Sequence, residues 1–298
     1  MPHSYRRIVL TGAALLCLAT AGQAQSLITG FMAGKSHGSV VFTGTAERYR
    51  NVFLVPEKVD AVPIYREVRV SSVSLFANYG LTDKIEAVVS LPFIQSTGRA
   101  NKTVLDALGS TYTNTRSGLQ DFSAFVKFKA YSAPVGNSQL DLLGAVGVST
   151  PASSYQSKAD LGYIIAIGNR ATKYTTVGVA HLRTPSGVFV TGQAGYSART
   201  NPVPDAFVAD GKVGYAGLKL YGEAWVSYQQ SSSKGTDILQ PGFTGLFTAT
   251  RVNYTRVGVS LYKPLSKGVG IILGASQYLA GRNVGQSTGV SAGVSYNY

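Results

Sequence analysis

Along most of the chain, apolar and polar residues alternate with period two, the mark of a strand whose two faces meet different surroundings. In KIEAVVSLPF (84–93), Ile85, Ala87, Val89, Leu91 and Phe93 share one face; Glu86 and Ser90 take the other, with Val88 as an exception. In LQDFSAFVKFKA (119–130), Phe122, Ala124, Val126, Phe128 and Ala130 oppose Asp121, Ser123, Lys127 and Lys129, with Phe125 among the polar set. VFVTGQAGYS (188–197) and LKLYGEAWVSYQ (218–229) repeat the rhythm, the latter with Lys219, Glu223, Ser227 and Gln229 on its polar face. The chain ends in the same way: in GVSAGVSYNY, Val290, Ala292, Val294, Tyr296 and Tyr298 alternate with small or polar residues. Termini are usually frayed, so a strand this strongly patterned needs a partner on each side.

The alternation predicts twelve strands, at 38–50, 66–80, 84–95, 118–132, 139–149, 174–183, 187–199, 207–216, 218–231, 249–263, 268–281 and 286–298. Their length exceeds the usual strand of about 5–6 residues and fits the roughly 9–11 residues of a tilted strand crossing a bilayer. GLTDK (80–84), SAPVGNS (132–138), RTPSG (183–187) and KPLSKG (263–268) have the residues of tight turns. Between them lie long polar links at 51–65, 96–117, 150–173 and 232–248. Short turns alternating with long loops are the habit of outer-membrane barrels, and an even strand count puts both termini on the periplasmic side. Two links are irregular: only Ala216 and Gly217 separate two segments, and Arg282–Gly285 is short for an outer loop. Residues 25–37 fit no strand and form either a periplasmic tail or a plug folded into the lumen.

In lipid every backbone N–H and C=O must be paired within the protein, so a spanning sheet has to close. A soluble sandwich would expose a charged face, yet only 14% of residues are charged, while Gly (34) and Tyr (18) are abundant. The expected fold is therefore all-β: a transmembrane antiparallel up-and-down barrel of about twelve strands. Tyr79, Phe93, Tyr131, Tyr196, Tyr221, Tyr228, Tyr262, Tyr278, Tyr296 and Tyr298 fall near predicted strand ends, as in an aromatic belt at headgroup level.

The N-terminus has the form of a secretory leader: Arg6 and Arg7, the apolar run 8–21, then small residues to Ala24. This divides the chain into a signal peptide, 1–24, and one outer-membrane barrel domain, 25–298. The only cysteine, Cys17, lies in the leader, so the mature chain has no thiol chemistry. Of 27 Lys and Arg, the leader removes two, which leaves a net charge of +11 against 14 Asp and Glu. In an exported protein that charge is expected to face outer-membrane lipid and lipopolysaccharide phosphates rather than nucleic acid.

Three stretches, FANYGLTDKIEAVVSLPFIQS (76–96), SGLQDFSAFVKFKAYS (117–132) and AGRNVGQSTGVSAGVSYNY (280–298), together resemble outer-membrane proteins of the "meta-pathway of phenol degradation" family. The matching pieces are Tyr79 to Asp83, Gly118 to Asp121 and Gly281 to Asn283, in order. Gln120 stands where a second Gly is common in that group, and the chain ends in Tyr rather than Phe. The resemblance implies a bacterial outer-membrane barrel associated with passage of small, hydrophobic or aromatic compounds. The terminal Tyr296 and Tyr298 resemble the signal by which the barrel-assembly machinery recognises its clients.

Catalytic chemistry is thinly represented. His37 and Ser39 lie two apart, on one face of a strand, which is the spacing of a lipid-deacylating Ser–His pair; an outer-membrane hydrolase is thus one alternative, and a structural or adhesive barrel another. His181 sits beside Arg183 near a turn and reads as an interfacial polar residue. No motif for a metal, nucleotide or other cofactor is present. The polar faces are more informative. If the apolar faces meet lipid, Glu86, Asp121, Phe125, Lys127, Lys219, Glu223, Trp225 and Arg256 line the lumen. Their charges either pair across the interior and fill it or set a field across an open pore. The favoured reading is a passive, non-enzymatic channel for small solutes.

Overall fold

The computed structural model describes residues 27–298 apart from 56–57, 61, 63–64, 100–105, 108–114, 158–164 and 239. The leader lies outside the described residues. The strands are β1 (Gly38–Tyr49), β2 (Val52–Phe53), β3 (Lys58–Val59), β4 (Glu67–Gly80), β5 (Ile85–Arg99), β6 (Thr115–Leu119), β7 (Asp121–Val135), β8 (Ser138–Pro151), β9 (Lys173–Arg183), β10 (Val188–Arg199), β11 (Ala206–Ala216), β12 (Tyr221–Ser231), β13 (Asn253–Pro264), β14 (Val269–Arg282), β15 (Val284–Gly285) and β16 (Thr288–Asn297).

Twelve strand units, with β6 and β7 acting as one interrupted strand, pair antiparallel with their neighbours into a closed barrel. Closure is made by the ladder between β1 and β16, which runs from Ser39↔Asn297 to Arg48↔Thr288. Beyond it, Gly38 N–H and Tyr298 C=O, and Tyr298 N–H and Gly38 C=O, exchange bonds of 3.1 Å. The terminal strand is thus held on both sides, by β1 and by β14. Every predicted segment has become a strand of the barrel. At the other end β2, β3 and β15 form a small separate sheet over the mouth.

Outward residues form a continuous apolar surface that includes Phe42, Leu75, Val126, Val190, Val259, Leu273 and Val294, all exposed. This inversion is what a lipid solvent demands. Tyr79, Tyr131, Tyr196, Tyr228, Tyr296 and Tyr298 are exposed, but Tyr221 and Tyr262 are buried and turn inward. They share the parity of Glu223 and Ser260 on their strands, so they belong to the lumen and not to the belt. Tyr278 shares the inward face too, packed on Tyr254 and Arg256. Phe93 faces outward in mid-strand, because β5 runs on to Arg99.

Lys219 is a correction. Leu218 to Leu220 continue the apolar alternation, but Gly217 N–H donates to Leu220 C=O at 3.0 Å, closing a tight turn. Lys219 is exposed in that turn and does not line the lumen.

One break in the ladder has a local cause. Pro92 sits inside β5 and has no N–H to give. Opposite it, Ser90↔Ser123 and Phe93↔Leu119 are spaced by one extra residue on the partner side. That bulge separates β6 from β7 and turns both Gln120 and Asp121 toward the interior, where each is buried.

Candidate functional site

The interior is divided by segments folding in from both ends. From the short-turn end, residues 27–37 enter the lumen. Phe31 packs edge-on against His181 (ring centroids 4.4 Å) and Phe189 (5.1 Å). Ile28, only 1% exposed, joins Leu143, Ala145, Val177 and Val179. Of the two sequence alternatives for residues 25–37, the described part is a plug.

A charged clamp holds this plug. Lys127 and Glu86, both 1% exposed, form an ion pair of 2.9 Å. Lys127 Nζ also donates to the carbonyls of Phe31 (2.5 Å) and Thr29 (3.4 Å). Glu86 Oε2 accepts from Ala33 N–H at 2.7 Å, while its Oε1 accepts from Asn78 Nδ2 at 3.2 Å. A buried ion pair endures only where its remaining hydrogen-bonding capacity is used, and here the plug backbone uses it.

The Tyr79–Asp83 motif is the second docking point. Asp83 Oδ1 accepts from Lys35 N–H at 3.0 Å, and Ser36 N–H donates to Gly80 C=O at 2.8 Å. A Cβ at Gly80 would overlap the carbonyl of Gly34. Glycine is therefore required there by the close approach of the plug backbone.

From the opposite end, the loops fold over the mouth. Asp121 binds Lys173 at 2.8 Å and accepts from the Tyr155 hydroxyl at 2.6 Å. Arg170 N–H donates to that same hydroxyl at 3.0 Å. Burial first, then the Asp121 carboxylate, push the Tyr155 phenol well above its ordinary pKa. Gln120 Nε2 donates to Ile167 C=O at 2.5 Å, which anchors this loop. Ile165 packs with Val52, Val62, Tyr65 and Val68, joining two loops over the mouth. Asn283, in the Gly281–Asn283 motif, donates to Asp237 Oδ1 (3.0 Å) and Arg251 C=O (2.8 Å), which ties down the loop before β13.

Between the plug and the barrel wall of β7 and β9 to β13 lies a chamber of about 170 Å³. Its apolar lining includes Ile28, Phe125, Val177 and Val208, and its polar lining Gln193, Asp210, Ser227 and Gln229, the two sets interleaved on β9 to β12. Asp210 Oδ2 accepts from Gln193 Nε2 at 2.9 Å, and its Oδ1 accepts from the Ser227 hydroxyl. Gln193 is 6% exposed, and its Oε1 has no hydrogen-bond partner among the described residues.

The sequence-predicted lumen residues, apart from Lys219, are brought inward. Glu86, Asp121, Lys127, Glu223, Trp225 and Arg256 are buried, and Phe125 packs against two of the interior apolar clusters. Their charges pair rather than line an open field. Arg256 bonds Glu47 and Ser276, each at 2.6 Å, and lies 4.9 Å from the Tyr278 ring centroid. Glu223 accepts from the Tyr221 hydroxyl at 2.7 Å. Sequence reasoning missed Gln193, Asp210 and Lys173. All three occupy inward parity positions, but only the closed sheet shows what they face.

The expected Ser–His arrangement takes another form. Ser39 turns into the lumen, 2% exposed, and its hydroxyl donates to Asn78 Oδ1 at 2.5 Å. An amide oxygen is no general base. His37 Nδ1 lies 3.3 Å from Tyr298 C=O. The pair therefore does not face lipid as a lipid-acting hydrolase would require.

This is the architecture of a transmembrane outer-membrane-type β-barrel. No family model matches the chain, and no curated protein matches it. Among solved structures, it is similar to the COG4313 outer membrane channel from Pseudomonas putida F1, with a TM-score of 0.67 and 13% identity over 94% of this chain and 100% of that one. The KdgM porin in complex with disordered oligogalacturonate (TM-score 0.49, 7% identity, 87% and 99% covered) is more distant. So is the CymD monoaromatic hydrocarbon channel (0.43, 8%, 89% and 88%). At those scores the latter two add nothing to the first.

Proposed function

We propose that this protein is an outer-membrane channel for passive passage of small, hydrophobic or aromatic molecules. It would be exported by the 1–24 leader and folded by the barrel-assembly machinery. The observation that carries this reading is the chamber between the plug and the barrel wall. Its size is close to that of the ~150 Å³ apolar cavity that accepts benzene in an engineered protein. Its lining combines apolar side chains with the polar Gln193, Asp210, Ser227 and Gln229. A small aromatic carrying a hydroxyl group suits such a mixed lining, its ring against the apolar side chains and its hydroxyl against the polar ones. Its similarity in fold to an outer membrane channel supports the same reading, as does the family resemblance of its motifs. Passage requires the plug to shift, because residues 27–37 occupy the short-turn end of the lumen.

The test uses the purified mature chain in planar bilayers and liposomes, beside a variant lacking residues 25–36. Wild type should show small conductance and admit phenol; the plug deletion should conduct more. Gln193→Leu should slow phenol entry relative to toluene. Absence of conductance and of solute entry in both proteins would overturn the reading.

A further inference from the structure

The outward face carries one feature that solute passage does not use. On β1, outward positions run Val40, Phe42, Gly44, Ala46, Arg48, and the row continues to Arg50. On β4 they run Tyr79, Ala77, Leu75, Val73, Ser71, Arg69 and Glu67, and on β5 they end at Arg99. Arg50, Arg66, Arg69 and Arg99 thus surround one carboxylate among the described residues, and Arg48 adjoins them as the cross-strand partner of Arg69. Glu67 is buried beneath them: Arg69 Nε donates to it at 2.6 Å, Arg50 Nε at 3.0 Å, and Arg99 Nη1 lies 3.8 Å away. Among the described residues, neither Arg48 nor Arg66 has an ion-pair partner.

Two properties mark this as a binding site rather than a solvated rim. Arg48 and Arg69 are direct cross-strand partners on the same face, and like charges directly opposed destabilise a sheet. The cluster also lies at a defined depth. From Tyr79 to Arg69 the strand rises roughly 33 Å, or about 25 Å along the membrane normal at a tilt of ~40°, the height of a barrel's apolar band. The arginines thus stand at headgroup level on the long-loop side. Around the rest of the barrel, that level of the outward face carries residues such as Phe122, Tyr174 and Phe207. The cleft between the arginines measures about 440 Å³. Arg50, Arg69 and Arg99 side chains remain 69%, 48% and 47% exposed, so each has N–H groups left over in the planar fork that suits phosphate.

We infer that this cluster is a phosphate-binding site for the lipid A headgroup of lipopolysaccharide in the outer leaflet. Glu67 orients the arginines of the cleft and leaves a surplus of three positive charges there, with Arg48 adjoining as a fourth. The assignment rests on the outer-membrane orientation proposed above and not on channel activity; a barrel that passes no solute could still bind lipid A.

The experiment is native mass spectrometry of the folded mature chain in zwitterionic detergent. The probes are bisphosphorylated lipid A, the same lipid with its phosphates removed, and inorganic phosphate. One lipid A per barrel should be retained, at least tenfold more weakly without its phosphates, and inorganic phosphate should bind far more weakly than the lipid. Arg48→Gln with Arg66→Gln, which leaves the bonds to Glu67 in place, should weaken retention at least tenfold while heat-modifiable gel migration stays unchanged. Equal retention of both lipids, or wild-type retention by the double variant, overturns the site. Inorganic phosphate binding as tightly as lipid A overturns the lipid as its ligand.

Discussion

Gly30→Ala tests the plug most directly. A Cβ at Gly30 would overlap Nδ1 and Cγ of His181 and stand 2.7 Å from its Cβ. His181 cannot give way easily: it is fully buried, its Nδ1 lies 2.7 Å from Thr191 Oγ1, and Phe31 packs on its ring. Overpacking of this kind costs about 1–3 kcal/mol. Because the barrel wall does not depend on Gly30, the cost falls on the seated plug, whose unseated population should rise roughly 5- to 150-fold. The readouts are the open fraction in planar bilayers and the maleimide labelling rate of Met32→Cys, the sole thiol in a chain started at Gln25, which leaves out Cys17. Both should rise. In a His181→Gly background the obstacle is gone, so adding Gly30→Ala should change little further; contacting residues are expected to be non-additive in this way. Wild-type conductance and labelling in Gly30→Ala would refute the packing argument, as would an equal effect in both backgrounds.

Other consequences follow from the same contacts. Lys127→Met leaves Glu86 buried without its cation and should destabilise the assembled barrel and plug by about 3–5 kcal/mol, seen as a lower gel-shift temperature; Lys127→Met with Glu86→Gln should lose much less. Tyr298→Asp places a charge where the Tyr79, Tyr296 and Tyr298 rings stack beside the barrel seam, and should lower the assembled fraction while export of the chain continues. Tyr155 is raised in pKa when docked, whereas a free phenol ionises near ~10. Its contribution to loop docking is therefore complete below about pH 10 and is lost as pH rises above it. The protection factors of residues 165–172, taken relative to intrinsic base-catalysed exchange, should fall over that range. Tyr155→Phe should remove the pH dependence at a cost of about 1–3 kcal/mol at neutral pH.

The strands, their faces and the closed barrel were legible from alternation alone. Period two is a local property, and lipid is the same solvent for every strand, so each segment carries its own instruction about which face turns outward. The alternation of short and long links carried the topology for a similar reason, since antiparallel neighbours need only local turns. Where the local pattern was imitated or interrupted, it misled. Leu218 and Leu220 extend an apolar rhythm through a turn, which left Lys219 outside the lumen. The Pro92 bulge sends two successive residues, Gln120 and Asp121, inward against the alternation.

The interior was decided by tertiary structure. Residues 27–37 have no periodicity because they form no ladder, and their contacts, such as Phe31 with His181, join parts of the chain far apart in sequence. Whether lumen charges pair or line a pore depends on which strands closure makes neighbours: Glu86 meets Lys127 only because β5 lies beside β7. The short motifs read from the sequence take on a different meaning in the same way. Tyr79–Asp83, Gly118–Asp121 and Gly281–Asn283 include turns and strand starts locally, yet their side chains and backbone hold the plug and the loops of the opposite end. A one-dimensional pattern can specify a face toward a uniform solvent; it cannot specify a partner that arrives from across a closed sheet.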